Sequence, residues 1–149
     1  MGFKEAVRTV LKEKYATFQG RAPRSEFWWF VLFVTLVGVV LMGLAFAMDG
    51  GRMMQGRDPN ALSMIFFGLY AIFYLAVLIP GIAVSVRRLH DRNMSGWWYL
   101  GMIVASFIPF VGIIASLAFL VIMCLKGTDG ENKYGPDPLK GPANAEVFS

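Results

Sequence analysis

Reactive side chains are scarce in this chain: its 149 residues include one cysteine and one histidine. A lone cysteine excludes an internal disulfide. Cys124 lies in an apolar run, where it is expected to be a small buried residue rather than a reactive thiol. His90 alone cannot build a zinc site, so no metal or cofactor is expected. No serine–histidine motif of the nucleophile-elbow kind is present. Charge is scarce too, at 16% of residues, against about a quarter in a soluble domain. No Asp, Glu, Lys or Arg falls within 27–48, 61–86 or 97–125. Proton and ion pathways usually need such groups, which counts against a coupled transporter. The first 26 residues also lack the apolar core of a cleavable signal peptide. Insertion is therefore expected to rely on the first hydrophobic block as an uncleaved anchor, which favours a bacterial inner membrane.

What is present is apolar residue in blocks, 56% of the chain in all. Such blocks cannot all be hidden in a soluble core of one domain, so the expected fold class is an all-α, multi-pass helical membrane protein. Block one, 27–48, gives about 33 Å of helix against a hydrocarbon core of about 30 Å. Trp28 and Trp29 stand at its start, where aromatic belts sit. Block two, 61–86, is interrupted by Pro80-Gly81, which should kink it. Block three, 97–125, is long for one span and short for two. Pro109 and Gly112 suggest a turn inside it, hence a hairpin with arms 97–108 and 110–125. One kinked, tilted helix is the alternative.

Residues 1–20 carry Phe3, Val7, Val10, Leu11, Tyr15 and Phe18 at helical spacing. An amphipathic helix is expected there, lying in the membrane interface or on the protein's own surface. The 1–26 segment would end with Pro23 in the first turn of the next helix. The tail from 126 is rich in glycine and proline turns, with Asp129 as a cap. It is expected to be ordered or semi-ordered, and loose from about Gly141.

The net charge of +4 suits anionic lipid better than nucleic acid, because the cations flank apolar blocks. Residues 1–26 hold six Lys/Arg and three acids; 87–96 hold three arginines and one acid; 49–60 are neutral. The first two regions are expected to be cytoplasmic and the third outside.

The stretch "SVRRLHDRNMSGWW" concentrates polar chemistry. On a helix Asp91 can meet Arg87 or Arg88, leaving another arginine free for a lipid phosphate. The long arginine stems would let their charges reach the interface. His90 and Asp91 point about 100° apart and do not form a facing pair. No catalytic residue is therefore expected. His90 could still sense pH. Trp97 and Trp98 would seat the next helix in the headgroup layer. The tail segment "TDGENKYGPD" fails the spacing of a calcium loop. Gly101–Ala105 and Gly112–Ser116 are small-residue pairs suited to packing in the bundle or a homo-oligomer.

Four motifs occur in order: "FQGRAPRSEFWWF", "VRRLHDRNMSGWW", "IPFVG" and "KGTDGENKYGPDP". Together they resemble the domain-of-unknown-function 805 family of small bacterial inner-membrane proteins, over roughly residues 15–138. The resemblance implies a multi-pass helical membrane protein with a cytoplasmic N-terminus; it brings no activity. The 49–60 loop is longer and richer in glycine than the family pattern. The same motif positions suggest a shared cytoplasmic layer. Arg21, Arg24 and Glu26 precede the first span; Arg87, Arg88, His90, Asp91 and Arg92 follow the second; Asp129 and Glu131 return with the tail. Glu26, Asp91, Asp129 and Glu131 would pair with the arginines. Such a polar cap would hold the bundle or bind anionic lipid or a membrane protein partner. The expected role is a non-catalytic accessory or scaffold; the alternative is a small oligomeric transporter or channel.

Overall fold

The computed structural model describes residues 1–140. These form five α-helices: α1 (Phe3–Arg8), α2 (Arg24–Asp49), α3 (Ala61–Asp91), α4 (Trp97–Ser106) and α5 (Val111–Cys124). The expected looseness from Gly141 lies outside the described residues. An isolated bridge between Asn132 and Gly135 is the β-pairing among them.

The two long helices pair antiparallel. Glu26 of α2 meets Arg87 of α3 at one end. Phe46 and Phe67 meet edge to face at 5.8 Å toward the other. Their 26 and 31 residues amount to about 39 and 46 Å, beyond the roughly 30 Å of a hydrocarbon core. Both are apolar enough to cross a membrane. The helices overrun the apolar blocks 27–48 and 61–86 because the flanking charged residues continue the same backbone. Much of their surface is apolar and outward: Val39 is 65% exposed, Ile72 66% and Leu75 67%. A continuous apolar surface of this kind suits lipid and not water.

Local chemistry sets the ends. Pro23 is the N-cap of α2 in extended conformation, one residue earlier than expected, and Arg24 is the first helical residue. Gly50, at φ +61°, closes α2 in the left-handed region. Asn60 caps α3: its Oδ1 accepts from the Ser63 N–H at 2.8 Å and its Nδ2 donates to the Met48 carbonyl at 2.5 Å. One side chain thus starts α3 and ties it to the end of α2. At the far end of α3, Asn93 sits at φ +60°. The Met94 N–H bonds the Leu89 carbonyl and the Asn93 N–H bonds that of His90, both at 2.9 Å. This is a Schellman motif, and Asn tolerates its left-handed position.

Block three is a hairpin of two helices, with arms 97–106 and 111–124 rather than 97–108 and 110–125. The arms pack on each other, and the Tyr99 and Phe119 rings lie 5.8 Å apart. At 10 and 14 residues they reach about 15 and 21 Å, short of a full span. The turn satisfies much of its own backbone. The Ser106 hydroxyl donates to the Ile103 carbonyl at 2.6 Å. The Val111 N–H bonds the Pro109 carbonyl at 2.8 Å, closing a three-residue turn on Phe110 at φ +64°. Gly112 is needed there, because a Cβ would stand 2.7 Å from the Ser106 carbonyl oxygen. Gly112 is thus spent on the turn, while Gly101 faces open space.

The N-terminal segment corrects the sequence reading. Helix occupies Phe3–Arg8 and widens into a π-helical turn over Thr9–Glu13, then stops. The apolar spacing continues to Phe18, but the chain leaves the helix at Lys14 so that later residues can reach α3. Ala6, Thr9 and Val10 are buried, while Phe3, Tyr15 and Phe18 are exposed. Phe3 stands edge to face on Trp29 at 5.8 Å, so α1 lies on the protein's own helices.

Tyr15 has a specific task. Pro80 lies inside α3 and has no N–H to give the carbonyl four residues back. That carbonyl belongs to Ala76, and the Tyr15 hydroxyl donates to it at 2.6 Å. Tyr15→Phe should therefore cost about 1 kcal/mol, the net worth of one such bond. In Pro80→Ala the restored N–H answers Ala76, and Tyr15→Phe should cost clearly less. Unfolding titrations of the four proteins of this cycle measure that coupling.

A polar cap around the end of helix five

The packed core gathers where all segments meet. Val10, Ala22, Phe27, Phe30, Val77, Val84, Leu89 and Met123 are buried together beneath a layer of charge. That layer draws on residues 20–26, 87–92 and 123–137.

Asp91 is its centre. Its Oδ1 accepts from Arg21 Nε at 2.9 Å and its Oδ2 from Arg88 Nη1. All three side chains are buried, with Arg88 at 0% exposure. Arg21 spends its remaining donors on tail carbonyls: Thr128 at 2.5 Å, Gly130 at 2.6 Å and Gly135 at 3.3 Å. The Asp91 main-chain carbonyl accepts from the Thr128 N–H at 2.7 Å. Gly127 passes so close that an added Cβ would overlap the Asp91 carboxylate. Beside this cluster Arg87 donates to Glu26, and both are buried. Arg87 therefore takes Glu26, and Asp91 takes Arg88 and Arg21.

A second pattern concerns backbone. The last carbonyls of a helix lack intrahelical partners and carry partial negative charge. At the end of α5, arginines from α2 and α3 supply the partners. Arg88 donates to the carbonyls of Met123 and Leu125, Arg24 to Cys124 at 3.2 Å, and Arg92 to Lys126. Three arginines thus form a collar on four successive carbonyls. Burial lowers the Arg88 pKa; Asp91 opposes this, and the Arg24 and Arg92 charges add to it.

Several expectations are corrected by these contacts. Arg87 and Arg88 do not extend their charges to the surface; both are fully buried, Arg88 among the Asp91 carboxylate and two carbonyls, and Arg87 on Glu26 alone, with its Nε and Nη2 unpartnered among the described residues. Asp129 pairs with Lys126 at 2.8 Å, not with an arginine. Glu131 is exposed and has no ion pair among the described residues. Asp137, not Asp129, organises the tail turn. The N–H groups of Leu139 at 3.0 Å and Gly130 at 2.9 Å hold the Asp137 carboxyl below the usual carboxylate range. Cys124 is exposed, because the inward side of α5 at this level is filled by Met123. Trp97 and Trp98 stand outside the cap, 77% and 57% exposed.

His90 is bound on both sides. Its Nδ1 lies 3.1 Å from the Gly20 carbonyl, which can only accept, so Nδ1 carries the proton. Its ring stacks on Tyr134 at 3.9 Å, and the His90 carbonyl accepts from Asn132 Nδ2 at 2.9 Å. Gly96 sits beside the ring, where a Cβ would collide with Val86 at 2.7 Å. The sequence reading missed Tyr134, Asn132, Gly127 and Asp137; an aromatic and polar cluster inside a turn-rich tail was their only signal.

Burial lowers the His90 pKa, as does Lys133, while the Gly20 contact raises it. A loosened cap returns His90 toward its ordinary value near 6.5. The loosened form then binds more protons. The stability that neutral His90 contributes is present above pH of about 6.5 and lost as pH falls through the lowered value. Proteolysis of the tail should thus quicken as pH falls below about 6.5. In His90→Gln that acceleration should shrink.

Two long apolar helices, a shorter hairpin and a buried charged cap define a helical membrane protein. The chain belongs to the family described as protein of unknown function DUF805, whose model matches residues 15–136. It is 37% identical over 133 residues to inner membrane protein YhaI of Escherichia coli strain K12, covering 89% of this chain and 94% of that one. It is 38% identical to inner membrane protein YhaH of the same strain, covering 89% and 95%. Uncharacterized protein YiiR of that strain is 33% identical, covering 81% and 85%. No solved structure matches.

Proposed function

We propose that the chain is a non-catalytic, multi-pass scaffold of the bacterial inner membrane, with its cap in the cytoplasm and its outer cations against the anionic leaflet. The observation that carries this reading is how the polar motif is used. Arg21, Arg88 and Asp91 are buried and spent on one another and on backbone, and Arg87 is buried against Glu26. His90 is held between Gly20 and Tyr134. A general acid or nucleophile needs an accessible atom beside its substrate, and these side chains are committed to joining segments. Arg24 and Arg92 form the outer edge of the collar, where cations favour an anionic membrane surface. The excess of Lys/Arg at 1–26 and 87–96 supports the cytoplasmic assignment.

Reporter fusions at the N-terminus and after Lys140 should both report a cytoplasmic location; an external one would overturn the topology. Mild-detergent purification with native mass spectrometry should retain anionic lipid, less in Arg24→Ala with Arg92→Ala. A bare monomer, or a retained protein partner with no lipid, would overturn the lipid-facing role.

A further inference from the structure

A groove of about 280 Å³ opens between α2, α3 and the hairpin. Phe27, Phe30 and Val34 line it from α2, Val77 and Gly81 from α3, and Phe119 from α5. A second hollow shares Val34, Thr35 and Tyr74 with it and continues along α2 to Met42. From Phe27 to Met42 the helix rises about 22 Å. That exceeds the roughly 15 Å that is half a hydrocarbon core. The walls are apolar, and Thr35 and Tyr74 lie on the exposed side.

The cap-side mouth of this groove is cationic. Arg24 stands one turn before Phe27 on the same helix. It is exposed and spends Nη1 on the Cys124 carbonyl; its Nε and Nη2 make no hydrogen bond among the described residues. Arg92 follows along the same collar, on the carbonyl of Lys126. Asp129 is occupied by Lys126, and no acid pairs with Arg24 or Arg92 among the described residues. An apolar slot of leaflet length whose cap end lies one turn from the Arg24 guanidinium, with Arg92 farther along the same collar and neither paired with an acid among the described residues, is complementary to one molecule type: a chain with a phosphate at its head.

We propose that this groove holds one acyl chain of an anionic phospholipid, with its phosphodiester on Arg24 and Arg92 beside it. The inference rests on the anionic-leaflet reading and gives it a specific seat. Arg24 presents Nε and Nη2 to two phosphate oxygens, while its Nη1 stays on Cys124 and fixes the fork. The chain lies along Phe30 and Val34 and ends near Met42.

The test uses the full chain in bilayer discs containing phosphatidylglycerol with a photoactivatable group near the chain end. A phosphatidylcholine probe of the same chain length is the control. The phosphatidylglycerol probe should label the segments around Val34–Met42 and Tyr70–Tyr74 about tenfold over the control, as expected for one charge-assisted bidentate contact. Arg24→Ala should remove that preference. Thr35→Trp, at an exposed rim position, should block labelling in the groove without disturbing the packed core; retained helicity checks the fold. Equal labelling by both probes at every site would overturn the groove and the anionic reading together. Phosphatidylglycerol preference at the cap surface, with labelling spread evenly over the outward faces of α2 to α5, would overturn the groove alone.

Discussion

Asp91→Ala is expected to cost about 3–5 kcal/mol and to release the tail from the helices. The magnitude follows from what is left behind. Arg21 and Arg88 are both buried and both pair with this one carboxylate. Removing it leaves two guanidinium groups with no counter-charge away from water. Each still reaches carbonyls, but carbonyls carry partial charge only. The cap must then open to hydrate them. Opening breaks the Arg21 contacts to Thr128, Gly130 and Gly135, so protease should cut the 126–137 region far sooner. Asp91→Asn keeps an acceptor of the same shape and should fall between wild type and Asp91→Ala. Denaturant titration together with timed proteolysis measures both effects. Wild-type resistance in Asp91→Ala would mean that the cap does not depend on this pair.

Gly127→Ala should rank next, at about 1–3 kcal/mol, the usual cost of forcing a methyl into filled space. The space is filled by charge: an added Cβ meets the Asp91 carboxylate, with Cγ at 2.6 Å. To make room, either Asp91 leaves its arginines or the tail lifts away and loses the bond between the Thr128 N–H and the Asp91 carbonyl. The double variant is diagnostic. Once Asp91 is alanine the colliding atoms are gone, so Gly127→Ala should then cost little more. The two changes should be strongly non-additive, as changes at touching sites are.

The helices were legible because charge is absent from three blocks, and a membrane fold needs no finer signal. The hairpin was legible because Pro109 and Gly112 interrupt the third block. The cap was legible as a gathering of segments, since arginines and acids cluster beside each block. Its wiring was not. Helical spacing allows Asp91 to meet Arg87 or Arg88 equally well. The choice is made by Glu26, 61 residues away in sequence, which takes Arg87. The collar on α5 was also hidden, because main-chain carbonyls have no letter in the sequence. Tyr15 shows the same asymmetry. Pro80 announces that the Ala76 carbonyl needs a donor, but nothing local says that the donor comes from a segment that has left its helix. Gly127 reads as one more turn glycine, although close approach to a carboxylate is what excludes a larger residue there.

The spread of the cap along the chain has a consequence for synthesis. Arg21 bonds partners 70, 107, 109 and 114 residues downstream. Its guanidinium is made well before its last acceptor, Gly135. Helices can form as they emerge, but contacts across such separations wait until the later partner has been made. A growing chain therefore passes through a stage in which Arg21 and Arg88 lack part of their final partners, whereas Arg87 follows its partner Glu26. Closure of the cap waits for residues 128–135, and a product truncated before Gly127 leaves Arg21 without its three tail acceptors.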